Sequence, residues 1–283
     1  MNFLQQVPHY KDAMRLEEVN GEALPELRFY RDFVDPMKPC LVKSAVNHWP
    51  AYRFWDSPAY ILSVVGNPDV RVAKETIVEY PTAAKGNVAL KERIDATFFD
   101  TQLREFFDDV TSKDGGYRVL HSYPLGKRAV LERLGKDVLG FSFLKAPPAP
   151  KSYPPCRTFI YRKSYTDWHF HQIDETLMCQ VKGSKEVLLI EPGGESFADL
   201  LKIGQAAGIV YNVDVGRFPK YETIHPYRVL VSPGDALYIP PFWLHAVEAA
   251  DYEWGITVAK CWGSPSQVDR DRDLARYQTV GSM

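Results

Sequence analysis

The sequence predicts an α+β chain, mainly β, with helical segments first and a β-sandwich or jelly roll second. Three observations carry that prediction. Several segments before residue 140 space their apolar residues as a helix does. Pro147, Pro148, Pro150, Pro154 and Pro155 then punctuate the chain. Beyond them come short runs rich in β-branched and aromatic residues, separated by glycine and proline. At 283 residues and 45% hydrophobic content, one large domain or two small ones can each bury a core.

Taken in order, residues 1–25 are polar and irregular and read as an arm. Leu27 to Val34 has helical spacing and ends before Pro36. Cys40 to Val46 reads as a strand, closed by His48-Trp49-Pro50. Ala59 to Val65 is a short helix stopped at Gly66, and Val70 to Ala73 alternates as a strand. Residues 80–95 form a loop. Thr101 to Val110 is a helix with Leu103, Phe106, Phe107 and Val110 on one face. Tyr117 to His121 is a strand and Ala129 to Leu139 a helix. After the prolines, strands are expected at Thr158 to Tyr161, Leu177 to Val181 and Glu186 to Ile190. A loop-rich insert with a helix near Phe197 to Ile203 follows. Strands resume at Tyr227 to Val231, Ala236 to Ile239, His245 to Glu248 and Gly255 to Cys261. Residues 264–283 are charged and form a final helix or frayed tail.

Charge and composition exclude several functions. Net charge is −2 with no long basic run, so there is no strong nucleic-acid signal. Cys40, Cys156, Cys179 and Cys261 contain no C-x-x-C pair, which argues for free thiols in a reducing compartment. The first residues lack a charged region followed by an apolar run, and no apolar run approaches the roughly 20 residues of a membrane span. The expectation is a cytoplasmic protein with no membrane contact.

The chemistry concentrates in Trp168-His169-Phe170-His171-Gln172-Ile173-Asp174-Glu175. Side chains on a strand alternate faces, so His169, His171 and Glu175 share one face if the segment is extended. Three such groups can hold a divalent ion, and imidazoles with a carboxylate suit Fe(II), Mn(II), Zn(II) or Ni(II). The bland alternative is a pair of packed or solvated histidines. A second segment, Gly234 to His245, favours the metal. Gly234 permits a tight turn into a strand, and Pro240 and Pro241 end that strand and swing His245 back inward. Tyr161, Trp168, Tyr238, Trp243 and Trp262 either line a pocket or, more commonly for such residues, fill a core. Pro81, Thr82 and the loop to Asn87 read as a surface loop, with a substrate lid as the alternative. Asp269 to Asp273 reads as a solvated face.

These segments, with Phe29 to Val34, Lys38 to Val42, His48-Trp49-Pro50 and Cys179 to Val187, resemble the Jumonji C, cupin-like oxygenases over roughly residues 26–262. The resemblance implies a double-stranded β-helix with its jelly-roll core at about 117–262, an arm at 1–25 and a tail at 263–283. It implies Fe(II) held by a His-x-Asp…His triad and chelated by 2-oxoglutarate, a protein or small-molecule substrate, and pairing into a homodimer. His169 matches the first ligand and His245 the last. Lys185 matches the lysine that pairs with the far carboxylate of 2-oxoglutarate, with Thr166 and Tyr117 matching hydroxyl donors to the same group. No further catalytic residue is implied. Three positions depart from the pattern: His171 stands at the aspartate, Glu175 at an asparagine six past the first ligand, and Lys260 at the asparagine of the final strand. One residue is added between His169 and Gly183. An ungapped match would place Phe170 and Gln172 at the ligand positions and make the chain metal-free, whereas a one-residue bulge restores His169 and His171. Glu175 is expected as ligand or neighbour of the ion. The rival reading is a cupin that binds metal without 2-oxoglutarate, or an inactive interaction module.

Overall fold

Core residues from two sheets meet in one apolar layer: Leu41, Met178, Leu237 and Ile239 from the larger, Val187, Leu189, Val231 and Val247 from the smaller. The computed structural model describes residues 3–73, 98–113, 115–116, 118–171, 173–193, 219–251 and 253–264. The larger sheet runs β1 (Glu17–Asn20), β2 (Cys40–Lys43), β11 (Ala236–Ile239), β8 (Asp174–Lys182), β13 (Trp254–Gly263), β6 (Cys156–Arg162), β5 (Arg118–Pro124), β3 (Asp69–Ala73) and β4 (Phe98–Gln102). The smaller runs β10 (Tyr227–Val231), β9 (Lys185–Ile190), β12 (Leu244–Ala249) and β7 (Tyr165–His169). Among the described strands, only β1 and β2 pair in parallel. From β6 to β9, and again from β10 to β13, the strands alternate between the two sheets, as in the jelly roll expected from the sequence.

The larger sheet buries both faces, which explains why β8 and β13 are almost uninterruptedly buried. Its outer face carries Leu177, Cys179, Ile160 and Val258 against the helical first half. There Glu26–Phe29 forms a short helix that runs into a π turn at Tyr30–Val34 before Pro36. Pro58–Val65 starts at Ser57, whose side chain accepts from the Tyr60 N–H, and stops at Gly66. Leu103–Thr111 buries Leu103, Phe106, Phe107 and Val110, the face its spacing predicts. Each large side chain so buried stabilises the fold by roughly 1.5–3 kcal/mol relative to exposure.

Three expectations change. The segment 129–139 is not an α-helix but a 3-10 turn at Glu132–Asp137. Leu131 and Leu134 are buried three apart, a spacing that a 3-10 turn satisfies equally. The strand from Cys40 stops at Lys43, with Ser44 at φ 56° opening a turn. The arm is partly regular: Leu4, Val7 and Tyr10 cover the outer face of the smaller sheet against Trp168, Leu188 and Leu244. It is tied down by Phe3 and Leu4 N–H groups donating to Glu248 and by Tyr10 donating to Glu186 at 2.8 Å. The expected loop at 80–95, the helix near 197–203 and residues 265–283 lie outside the described residues.

Candidate metal centre and anion pocket

His169 ends β7, and the chain then leaves the smaller sheet. It crosses to the larger sheet, where β8 begins at Asp174. His171 lies in that crossing, so the two histidines do not share a strand. They nevertheless converge. One ligand atom from each of His169, His171 and His245 lies within 4.8 Å of the others. Ring centroids are 4.0 Å apart for His169–His245, 5.0 Å for His171–His245 and 5.7 Å for His169–His171.

Local structure accounts for each position. On β12, Val247 pairs with Thr166 and His245 with His169, two steps against three. β7 therefore carries one extra residue, and the bulge keeps both Thr166 and His169 on the inner face. Gly234, at φ +95°, opens the turn into β11; a Cβ there would meet Asn47 Oδ1 at 2.3 Å. Between β11 and β12 the chain bends at Pro240 to Trp243, with Phe242 at φ 68°. The Phe242 N–H donates to the His171 carbonyl at 2.7 Å, locking this bend to the crossing segment. Phe170 packs toward Phe242 and the outer cluster.

The donor atoms are prepared for a cation. His245 Nδ1 donates to the Trp243 carbonyl at 2.9 Å, which leaves Nε2 as the acceptor. His171 Nδ1 is 2.9 Å from Thr176 Oγ1, a contact that orients the ring. Burial, then the neighbouring His169 and His171, hold the His245 pKa well below the usual histidine value, so its lone pair is available at neutral pH. Three converging imidazoles, two of them oriented by hydrogen bonds, fit a divalent metal.

Glu175 does not join them. On β8, Thr176 and Met178 face the cavity, whereas Glu175 faces the opposite side and accepts from the Tyr238 hydroxyl at 2.7 Å. The parity counted from His169 fails because the intervening residues are not a strand. Thr176 takes the inward place instead. On β13, Thr257 and Ala259 line the cavity, so Lys260 faces away. Tyr117 lies outside the described residues.

The cavity brings the three histidines together with Thr166 and Lys185. Lys185 is 8% exposed and lies over the Tyr161 ring at 4.2 Å. Burial lowers its pKa to about 7. Tyr161 is held by Gln180, which donates to its hydroxyl at 2.7 Å and accepts from Thr257 at 2.8 Å. Gly183, at φ +66°, makes the β8–β9 turn that delivers Lys185.

A cupin-like domain profile matches residues 26–265. The chain belongs to the cupin-like domain family. Among its relatives is the human bifunctional peptidase and (3S)-lysyl hydroxylase JMJD7, 25% identical over 91% of this chain and 86% of that protein. Jumonji C domain-containing protein 5 of Drosophila melanogaster is 23% identical over 75% of this chain and 52% of its own length. Human tRNA wybutosine-synthesizing protein 5 is 25% identical over 32% of the chain and 29% of that protein. The chain thus spans most of the first relative and about half of the second.

Within this cupin-like domain, sequence reasoning missed five residues around the cavity: His121, Tyr153, Arg157, Thr176 and Asp174. The Asp174 carboxylate accepts from the backbone N–H groups of Lys151, Ser152 and Tyr153 at 2.8–2.9 Å. That ties down the proline-rich stretch and sets Tyr153 against His171, ring centroids 5.2 Å apart. Arg157 had a readable signal: it has the same strand parity as Phe159 and Tyr161, and a charge at an inward position needs a reason.

Proposed function

We propose that this chain is a metal-dependent oxygenase, a hydroxylase that uses Fe(II) and 2-oxoglutarate and acts on a protein side chain or small molecule. The observation that carries the reading is the convergence of three buried or half-buried imidazoles within 4.8 Å, in a cavity that also holds a buried lysine. The family relationship supports it. His169, His171 and His245 would hold the metal. When bound, Fe(II) with 2-oxoglutarate supplies the oxidising power to insert one oxygen atom of O2 into a C–H bond, as 2-oxoglutarate becomes succinate and CO2.

The protein's own groups have separable tasks. Trp243 and Thr176 orient two of the rings. Lys185 with Thr166 anchors the far carboxylate of the cosubstrate; a buried ammonium without a carboxylate partner is stabilised when an anion arrives. The apolar wall of Ile239, Val247 and Met178 excludes water. No carboxylate joins the ligand set, so the site is one charge more positive than a two-histidine, one-carboxylate site. A dianionic cosubstrate compensates that charge.

The domain would span 26–262 with its jelly-roll core at about 117–262. No described helix is long and apolar enough to cross a membrane. The reading keeps the cytoplasm as the compartment and a homodimer as the assembly, which light scattering of the purified chain tests. The activity is tested by metal analysis, then by succinate formation from 2-oxoglutarate with added Fe(II). Turnover dependent on His171 supports the oxygenase. Metal bound without turnover would move the chain to the rival reading of a cupin-like metal binder.

A further inference from the structure

Arg157 is 6% exposed and lines the same cavity as the histidines. Its guanidinium lies 4.1 Å over the Tyr153 ring and 5.7 Å from the Phe159 ring centroid. Nη1 donates to Ser122 Oγ at 3.1 Å, Nη2 reaches only the Cys261 thiol at 3.8 Å, and Nε is buried without a partner. Its contacts are thus a hydroxyl, a thiol and two aromatic rings, none of them a carboxylate. No Asp or Glu side chain lines the cavity among the described residues. A buried cation without a counter-ion is unfavourable by several kcal/mol unless something anionic completes it.

Lys185 is the second cation of the cavity, and it stands apart from the first. Its ammonium lies 5.8 Å from Phe159 on the side of Tyr161, whereas Arg157 lies on the side of Tyr153. Arg157 and Tyr161 are four residues apart on β6, about 13 Å along an extended strand. One end of the cavity thus holds an ammonium and the other a guanidinium, with the Phe159 ring between them.

We infer that Arg157 recognises a carboxylate on the primary substrate, which makes the substrate an acidic molecule or an acidic side chain. The inference rests on the proposed oxygenase reading, in which Lys185 and the metal already account for the two ends of 2-oxoglutarate. Nε and Nη2 form the side-on edge of a guanidinium, the edge that pairs with both oxygens of a carboxylate. Here that edge holds nothing stronger than a thiol. A lysyl side chain entering the same cavity would meet an unpaired positive charge.

The test uses the full chain loaded with Mn(II), saturated with 2-oxoglutarate, and titrated calorimetrically with the N-acetyl N-methylamides of aspartate, asparagine and lysine. The aspartate derivative is expected to bind about tenfold or more tighter than the asparagine derivative, with no heat from lysine. Arg157→Gln should erase that preference and leave 2-oxoglutarate affinity within about threefold; Arg157→Lys should fall between, since it keeps the charge and loses the fork. No aspartate preference in the wild type overturns the inference, whether or not Arg157→Gln folds. So does a loss of 2-oxoglutarate affinity in Arg157→Gln as large as in Lys185→Met, which would assign the guanidinium to the cosubstrate. If the wild type binds neither Mn(II) nor 2-oxoglutarate, the oxygenase reading fails. In that case an Arg157-dependent aspartate preference in the metal-free protein still upholds acid recognition, and its absence overturns it.

Discussion

The cavity has two unlike walls. The wall of β7, β9 and β12 presents His169, His245, Thr166 and Lys185, four residues singled out from the sequence. The wall of β5, β6, β8 and β13 presents His121, Arg157, Phe159, Thr176 and Thr257, and here the expected residues turn away. Glu175 and Lys260 face the outer side of their strands. The difference has a local cause. In the smaller sheet Gly183 turns the chain into β9, and the extra residue of β7 sets Thr166 and His169 together on the inner face. The larger sheet is entered through the non-strand segment that carries His171, and it has a register shift between Ile256 and Thr257. One residue of slip reverses every side chain beyond it. The first wall therefore carries the groups proposed for metal and cosubstrate, and the second is free to set what else enters.

The comparison breaks most readily at the first wall. His245→Ala removes a proposed ligand that is 2% exposed and already oriented by the Trp243 carbonyl. Metal content of the purified protein, measured by plasma mass spectrometry, should fall to about a tenth of wild type or less, and succinate formation should vanish with it. A variant with full metal content would show that the imidazoles are only packed together.

Lys185→Met separates function from stability on the same wall. Loss of the ammonium should weaken 2-oxoglutarate binding on the order of 100-fold, the range for a buried charge pair. The same change should stabilise the empty protein on the order of a few kcal/mol, because a buried cation without a carboxylate partner is replaced by an apolar chain of similar length. The pH dependence has a definite sign. Burial lowers the Lys185 pKa from 10.5 to about 7. Between those values the unfolded chain binds a proton that the folded chain lacks, so this group makes stability rise with pH across the window. In Lys185→Met that slope should flatten, which chemical denaturation at pH 7 and pH 9 measures. Over the same window the empty site loses its ammonium, so wild-type affinity for 2-oxoglutarate should fall as pH rises.

Much of the first wall was legible in the sequence, because a tight turn followed by a strand fixes which residues point inward. His245 follows from Gly234 and the paired prolines in that way. The second wall was harder to read. Its residues are known only after the partner strands are known, and neither the extent of 170–173 nor the register of β13 is written in local spacing. The helix expected at 129–139 failed for a related reason: Leu131 and Leu134 satisfy two helical periods, and tertiary contact selects the shorter. Arg157 lay in the open, on a strand whose inward parity could be counted.

Thr176→Val tests how far the second wall supports the first. The hydroxyl is the partner of His171 Nδ1 at 2.9 Å, and valine keeps its shape without the bond. Metal affinity should weaken by about 10- to 100-fold, as for other groups that orient a ligating histidine. A competition titration against a chelator measures it. An unchanged affinity would mean that the orientation of His171 comes from its other contacts, the bond of its carbonyl to Phe242 and the Tyr153 ring among them.

Glu175→Gln should have the smallest effect, and it separates the two faces of β8 most directly. If the outward orientation is right, the carboxylate touches Tyr238 and not the metal. The amide oxygen can still accept from the Tyr238 hydroxyl, so packing is kept. Metal stoichiometry and affinity should stay within about twofold of wild type, a difference below 1 kcal/mol. Stability need not fall, since the variant removes a fully buried charge and keeps its hydrogen bond. A large loss of metal would place Glu175 on the inner face, turn the three-histidine site into a mixed one, and return to the ion the negative charge that its neutral ligands leave to the cosubstrate.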